Sequence, residues 1–145
     1  MKRVERTATI ASPPEELFAY LADLENLDEW MAGIVSADVT SGGEIGVGTT
    51  ARVVRALGSQ NVEARLTVEA YEPPRHIVIG SEVSGVRIAA SLDLEPATGG
   101  DTELGFAMEI RGSMLTRFME PMIAGAAGGE IDVTLERIRA RFAQG

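Results

Sequence analysis

The apolar residues near the start of the chain alternate with polar ones, as they do in a strand that buries one face. Over residues 3–10, Val4, Ala8 and Ile10 fall on one side together with Arg6, and a glutamate and two threonines fall on the other. Alternation over this length predicts a half-buried strand. A similar pattern returns after residue 33 and predicts six more strands. They are expected near residues 34–41, 49–57, 62–71, 76–83, 86–95 and 102–111.

The clearest alternation lies in the middle of the chain, where charged residues and a threonine separate the apolar ones. The apolar face there consists of Val62, Ala64, Leu66, Val68 and Ala70. Short spacers rich in glycine and proline separate the predicted strands. Such spacers allow antiparallel hairpins, whereas a parallel crossover needs about a dozen residues or more. We therefore expect an antiparallel sheet with one apolar and one polar face.

Helical spacing of apolar residues appears at both ends of the pattern. Ser12 is expected to cap a first helix, because Pro13 suits a first turn and two glutamates follow. A second short helix is predicted over residues 25–31 and a long one over 114–142, with Pro121 kinking the long helix or starting its main part. This order gives an α+β fold, in which the long helix offers the largest apolar surface to cover the sheet.

Length and composition exclude several classes of site. The 145 residues suit one domain, and we treat 1–145 as a single domain. The chain has no cysteine and one histidine, so neither disulfides nor thiolate metal sites are expected. The carboxylates between Asp23 and Glu29 fit a solvated acidic surface better than a metal site. No cofactor and no metal are expected.

Charge and hydropathy bear on partners and compartment. The net charge of −9 disfavours nucleic acid, because the field repels phosphate backbones. No apolar run is long enough for a transmembrane helix, and the basic N-terminus lacks the apolar core of a signal peptide. We expect a cytoplasmic protein without stable membrane insertion. A homodimer is left open by the sequence.

One glycine-rich segment imitates a nucleotide-binding motif. Gly46 to Ala51 matches the loose pattern G-x-G-x-x-G/A. That motif requires a helix to follow, so that the pyrophosphate meets the helix N-terminus. Here the following residues, 52–55, are strand-like. A glycine-rich hairpin is therefore the preferred interpretation.

Three basic side chains are candidates for polar contacts with a ligand. Arg52 and Arg55 lie on opposite faces of one predicted strand, and the two valines between them leave open which arginine faces inward. An inward arginine is able to pair with an acidic or carbonyl group. His76 is able to act as a general acid or base, although the sequence places no partner beside it. The alternative for all three is a position on the surface or rim.

Five segments occur in an order that is typical of one superfamily. Ile10–Phe18 resembles its entry from strand to helix, Trp30 the tryptophan ending its helical pair, and Gly46–Thr49 the lead into its third strand. Tyr71–Arg75 matches its mid-sheet turn, and Gly99–Leu104 resembles its Gly-Gly-Thr turn with Asp101 inserted. From about residue 3 to 142, the chain resembles the START/Bet v1-like (SRPBCC) superfamily, and within it the polyketide cyclase/dehydrase and lipid-transport group.

The resemblance implies a helix-grip (Bet v1-like) fold. In it a curved, seven-stranded antiparallel sheet wraps around the long C-terminal helix, and two short helices lie between strands 1 and 2. The sheet and the helix enclose an apolar cavity. Members include ligand carriers, cyclases, dehydratases and co-chaperone-like modules, so the fold alone does not assign a reaction.

Methionine and aromatic residues supply the expected lining of that cavity. Methionine is flexible and polarizable and suits varied apolar ligands, although such residues also fill ordinary cores. The expected lining residues are Trp30, Leu66, Ile79, Ile88, Phe106, Met108, Phe118, Met119 and Met122.

Three hypotheses about function follow. The first is binding or transport of an apolar or amphipathic small molecule, such as a lipid, a polyketide-like compound or an aromatic compound. The second is a cyclase or dehydratase-like enzyme acting in the same cavity, which needs an inward polar group such as Arg52, Arg55 or His76. The third is a protein-interaction module that uses the outer sheet or the acidic helices. No catalytic motif is recognisable.

Overall fold

The computed structural model describes residues 2–57, 59–83, 85–112 and 120–143. Within these ranges the strands are β1 Lys2–Ile10, β2 Ile34–Val39, β3 Thr50–Leu57, β4 Gln60–Glu72, β5 His76–Val83, β6 Val86–Pro96 and β7 Thr102–Gly112. The α-helices are α1 Pro14–Ala22, α2 Leu27–Trp30 and α3 Glu120–Phe142. The helix predicted from residue 114 is thus described from Glu120 onward, and residues 113–119 lie outside the described part.

The strands form one antiparallel sheet in the order β1-β7-β6-β5-β4-β3-β2. Each predicted strand is present, and every neighbouring pair except β1 and β7 consists of strands that are consecutive in the chain. Helices α1 and α2 lie between β1 and β2 in the chain, and α3 packs against β1, β7 and α2. The α+β, helix-grip prediction is confirmed.

The core lies between the inner face of the sheet and the three helices. Alternate residues of each central strand point into it, which follows from the two-residue repeat of a strand. Fully buried examples from the strands are Val53, Val68, Ile77, Leu92, Leu104 and Ile110. Helices α1 and α2 add Leu17, Leu21, Leu27 and Trp30, and α3 adds Ala127, Ile131, Leu135 and Ile138.

The start of α1 differs from the prediction. Pro13 is the N-cap and no side chain caps the helix, so the assignment of Ser12 as the cap was wrong. Pro14, which lacks an N–H group, takes the first helical position and moves the start one residue along. The Ser12 carbonyl instead accepts a hydrogen bond of 2.6 Å from the buried Thr102 hydroxyl, which joins the end of β1 to β7.

A bulge in β4 changes which residues face the core. Its register against β5 shifts between Val68 and Ala70. Tyr71, rather than Ala70, is therefore paired with the buried Ile77 and packs against Phe18 at 5.6 Å between ring centroids. The expectation that Ala70 continues the inner face was wrong, because the extra residue reverses the alternation.

The glycine-rich segment before β3 leads into a strand. Thr50 begins β3, and the Gly46 N–H group donates a hydrogen bond of 2.9 Å to the Thr49 hydroxyl. No helix N-terminus follows the motif, so it lacks the feature that binds pyrophosphate. The hairpin interpretation is confirmed.

Tyr20 fixes the C-terminal end of α3 against α1. Its ring meets Phe142 edge-on at 5.6 Å, and the guanidinium of Arg141 lies 5.1 Å from its centroid. The Tyr20 hydroxyl donates a hydrogen bond of 3.0 Å to Glu29. Partial burial, and then this hydrogen bond to a carboxylate, raises the pKa of Tyr20. The last turn of α3 is therefore held at the surface of the helical pair.

Candidate functional site

A small cavity lies against the inner face of the sheet. Its volume is about 30 Å³. Strands β3 to β7 form most of its wall, and the segment after α2 closes it. The lining residues are Met31, Ile34, Val53, Arg55, Ala64, Leu66, Ile79, Ser81, Ile88, Ala90 and Met108. Among these described residues Arg55 carries the one charge and Ser81 the one hydroxyl, so the wall is otherwise apolar.

A second cavity of about 10 Å³ adjoins the first on the side of α3. The two share Met31, Arg55 and Met108. The second is completed by Ala32, Phe106, Glu130, Ile131 and Thr134. Polar groups thus gather where the sheet meets α3, and apolar groups surround them.

An ion pair involves Arg55, which lines both cavities, and Glu130, which lines the smaller one. Arg55 faces inward because it follows Val53 by two residues on β3, and its Nη2 donates a hydrogen bond to Oε1 of Glu130 on α3. The side chains are 13% and 31% exposed, so the pair is largely shielded from water. Gly33 lies beside it with φ +89°, and a Cβ there would stand 2.8 Å from Oε2 of Glu130. The missing side chain of Gly33 therefore leaves room for the carboxylate.

Thr134 supplies a buried polar contact one turn further along α3. Its hydroxyl accepts a hydrogen bond of 2.9 Å from the backbone N–H of Ala32, and both residues are buried. This bond joins the segment after α2 to α3, and both of its residues line the smaller cavity together with Arg55 and Glu130.

The substitution Thr134→Val is expected to destabilise the fold by about 1–2 kcal/mol, because the buried N–H of Ala32 loses its acceptor. Thr134→Ser keeps the hydroxyl and is expected to cost clearly less. Urea denaturation of both variants measures the difference. A loss in Thr134→Ser as large as that in Thr134→Val would contradict this expectation, because it would mean that packing of the methyl group contributes as much as the hydrogen bond.

Trp30, the last residue of α2, packs against Phe106 of β7. Their rings meet edge-on with centroids 6.4 Å apart, and both side chains are buried. The Trp30 Nε1–H group has no hydrogen-bond partner among the described residues. Burial of a hydrogen-bond donor without a partner costs free energy, so this N–H group is an unfavourable polar feature in an otherwise apolar region.

The predicted lining residues fall into three groups. Leu66, Ile79, Ile88 and Met108 line the larger cavity, and Phe106 lines the smaller one. Trp30 is buried against Phe106. Phe118, Met119 and the side chain of Met122 lie outside the described part of the chain.

Arg52 and His76 face away from the cavity, which corrects the expectation that either could contact a ligand there. Arg52 lies on the outer face of β3, 3.5 Å from Glu63 and 3.8 Å from Asp38. His76 lies opposite Asp93 in the sheet, and its Nδ1 is 2.7 Å from the Asp93 carboxylate. Its neighbour Ile77 takes the inward position, so the alternation turns His76 outward.

Sequence reasoning missed the residues that complete the site. Met31, Ile34, Val53, Ala64, Ser81 and Ala90 also line the larger cavity. Glu130 and Thr134 were missed as well, although both interrupt the apolar stripe of α3 next to Ala127 and Ile131. A charged residue beside the buried stripe of a helix was the available signal.

Two wider depressions are open to solvent. One, of about 490 Å³, lies between α1 and the loop from β2 to β3, and Phe18, Ile45 and Tyr71 contribute to its wall. The other, of about 590 Å³, surrounds His76 and Asp93 on the outer face. Both are larger than the inner cavities. Charged and other titratable residues line most of the depression around His76, whereas the one beside α1 is lined mainly by apolar residues, with Asp23 and Glu25 as its charged members.

The family of this chain follows from a comparison of its whole length with known families. Residues 1–143 match the family described as polyketide cyclase/dehydrase and lipid transport. The chain belongs to this family. The fold and the resemblance seen in the sequence agree with that assignment, and the START/Bet v1-like (SRPBCC) superfamily is thereby confirmed.

Relatives of this family member cover nearly its full length. The uncharacterized protein Rv1546 of Mycobacterium tuberculosis is 26% identical over 141 residues, which are 94% of this chain and 96% of the relative. A START superfamily protein from Mycobacterium smegmatis has a similar structure, with a TM-score of 0.81, 15% identity and coverage of 98% and 97%. The Zhui aromatase/cyclase from Streptomyces sp. R1128 is also similar in structure, with a TM-score of 0.71 and 16% identity. The match covers 99% of this chain and 98% of that one. At these identities the solved structures support the fold alone.

Metal and membrane features complete the description of this family member. Among the described residues, no cluster of three or more His, Cys, Asp or Glu side chains could hold a metal ion. Within the same part of the chain, no helix is both long and apolar enough to span a bilayer.

Proposed function

We propose that this protein binds and carries an apolar or amphipathic small molecule at the inner face of its sheet, next to α3. The observation that carries the proposal is the wall of the larger cavity, which is apolar except for Arg55 and Ser81. Small-molecule sites combine such walls with a few polar groups that set orientation. Lipids, polyketide-like compounds and aromatic compounds share the required surface.

The size of the cavity bears on how a ligand would enter. Pockets for small molecules occupy roughly 300–1,000 Å³, whereas the larger inner cavity measures about 30 Å³. Its sheet wall is fixed by hydrogen bonds between neighbouring strands. Binding therefore requires the other elements around the two inner cavities to move outward. These are the segment at Met31 to Ile34 and, on the side of the smaller cavity, α3. Burial of ligand surface would then supply about 25 cal/mol per Å².

The proposal predicts that purified protein binds lipids or aromatic compounds with one-to-one stoichiometry. Native mass spectrometry against a library of fatty acids, sterols and polycyclic aromatics measures it. Backbone amide exchange over residues 124–130 should slow when a ligand binds, because α3 is a wall of the site. A library that yields no complex at any accessible concentration would contradict the proposal.

Substitution on the inner face locates the ligand. Ala64→Leu adds carbons to the wall of the larger cavity and is expected to weaken binding by about tenfold, since filling the site removes ligand contacts. Arg65→Leu places the same side chain on the outer face of the same strand and should leave affinity unchanged. Equal effects from the two variants would place the ligand elsewhere.

A cyclase or dehydratase-like reaction in the same cavity is the alternative. The observation in its favour is the Arg55–Glu130 pair, which offers a carboxylate for proton transfer and a cation for a developing oxyanion. Recovery of the bound compound decides between the two functions. A carrier returns it unchanged, whereas an enzyme converts a polyketide-like β-keto thioester into a cyclised or dehydrated product.

A further inference from the structure

Arg55, the charged residue of the candidate site, is already paired with a carboxylate of the protein itself. Arg55 is 13% exposed and its guanidinium is bound by Glu130, which is 31% exposed. Glu130 belongs to α3, the wall that has to move for a ligand to enter. The carboxylate that satisfies Arg55 and the barrier to the cavity are therefore parts of one element.

The geometry allows another carboxylate to take the place of Glu130. The Arg55 side chain lines both small cavities, so it borders the apolar space as well as α3. Arginine forms strong, charge-assisted hydrogen bonds with carboxylates in general, often in a forked geometry. An exchange of one carboxylate for another costs Arg55 no hydrogen bond, and the released Glu130 side chain is partly exposed already.

We propose that the ligand is an anionic amphiphile whose carboxylate displaces Glu130 from Arg55 and thereby releases α3. This inference rests on the proposed function and adds to it the charge of the ligand and the order of events. The apolar part of the ligand lies against Leu66, Ile79 and Ile88, and its head group pairs with Arg55. In the protein without ligand, the Glu130 carboxylate occupies the position beside Arg55 that the head group takes in the complex.

Head-group selectivity follows from this exchange. A neutral alcohol that displaces Glu130 leaves Arg55 with a weaker partner, and a cationic amine repels the guanidinium. The net charge of −9 disfavours anions near the surface in general. Any preference for a carboxylate must therefore come from a local cation, and Arg55 is the charged group in the wall of the larger cavity.

The outer face of the sheet provides a matched control. Arg87 there donates a hydrogen bond to Glu69, whose side chain is 31% exposed, the same fraction as for Glu130. Glu69 also lies over a glycine, Gly80, as Glu130 lies beside Gly33. Glu69→Gln removes the same charge from an equally close pair that borders no cavity of the inner face.

The test measures binding of dodecanoate, dodecanol and dodecylamine by isothermal titration calorimetry. Wild-type protein should prefer dodecanoate. Glu130→Gln should tighten dodecanoate binding by about tenfold, because the competing carboxylate is gone and a larger fraction of Arg55 is available. Dodecanol should bind both proteins about equally, and Glu69→Gln should behave as wild type. Arg55→Met should bind dodecanoate no better than dodecanol, with Arg55→Lys between the two.

Each other outcome is informative. Failure of all three compounds to bind the wild type contradicts the proposed function itself. Equal binding of dodecanoate and dodecanol, unchanged in Glu130→Gln, overturns the inference and leaves the proposed function standing. Weaker dodecanoate binding in Glu130→Gln overturns the displacement, since Glu130 would then assist the ligand. If Arg55→Met does not fold, Arg55→Lys and Glu130→Gln still decide, because both retain a hydrogen-bonding partner in place.

Discussion

Trp30→Ala is expected to lower the free energy of unfolding by about 3–5 kcal/mol, the usual range for removing a large buried aromatic side chain. Trp30 is fully buried and its ring meets Phe106 edge-on at 6.4 Å. Helix α2 has four residues and is too short to be stable alone, so the packing of its last residue anchors it. Loss of this anchor should loosen the segment that closes the inner cavity.

The measurement is urea denaturation followed by far-ultraviolet circular dichroism, since Trp30 is the one tryptophan and its fluorescence disappears with the substitution. Val47→Ala, at a position that is 70% exposed, should change stability by less than about 0.5 kcal/mol. Trp30→Phe should cost less than Trp30→Ala, because it keeps a ring and removes an N–H without a partner among the described residues. A loss below about 1 kcal/mol in Trp30→Ala would contradict this account of the core.

The faces of the strands were predictable because alternation records directly which side of a sheet is buried. The positions of Leu66, Ile79 and Ile88 on the inner face follow from that rule. The rule failed at Ala70, where one extra residue in β4 reverses the alternation. A bulge of this kind depends on how two strands pair, and the sequence of β4 alone carries no mark of it.

The polar part of the site was harder to predict for a related reason. Arg52 and Arg55 enclose Val53 and Val54, so both possible faces of β3 look alike in the sequence. The structure distinguishes them through the partner strands, since Arg55 lies opposite Ile34 and Val62. Its carboxylate partner, Glu130, is 75 residues away in the chain. A contact that joins a strand to a distant helix depends on tertiary packing, which a local pattern does not report.

Gly33→Ala is expected to destabilise the protein by about 2–4 kcal/mol, for two additive reasons. The first is the backbone, because φ of +89° is unfavourable for a residue with a Cβ and costs roughly 1–2 kcal/mol. The second is the new contact at 2.8 Å with Oε2 of Glu130. Glu130 is held by Arg55, so relief of that contact requires the ion pair to loosen, at a cost of about 1–2 kcal/mol.

Gly43→Ala separates the two contributions. Gly43 has a similar φ of +84°, and a Cβ there would meet nothing within 4 Å. It should therefore show the backbone cost alone, and the difference between the variants, measured by urea denaturation, reports the contact with the ion pair. In a Glu130→Ala background that difference should vanish, because the contacting atom is absent. A difference that persists would place the strain in atoms other than the carboxylate.

Gly33→Ala also tests the proposed displacement of Glu130 from Arg55, without changing any charge. In Gly33→Ala the new methyl group pushes the Glu130 carboxylate away from Arg55, while every ionisable group of the protein remains. If Glu130 competes with the ligand head group, dodecanoate should bind this variant more tightly than wild type, in the same direction as for Glu130→Gln. Gly43→Ala, with equal backbone strain far from the pair, should bind as wild type. Tighter binding in Glu130→Gln but not in Gly33→Ala would show that the net charge near Arg55, rather than occupation of its guanidinium, controls affinity.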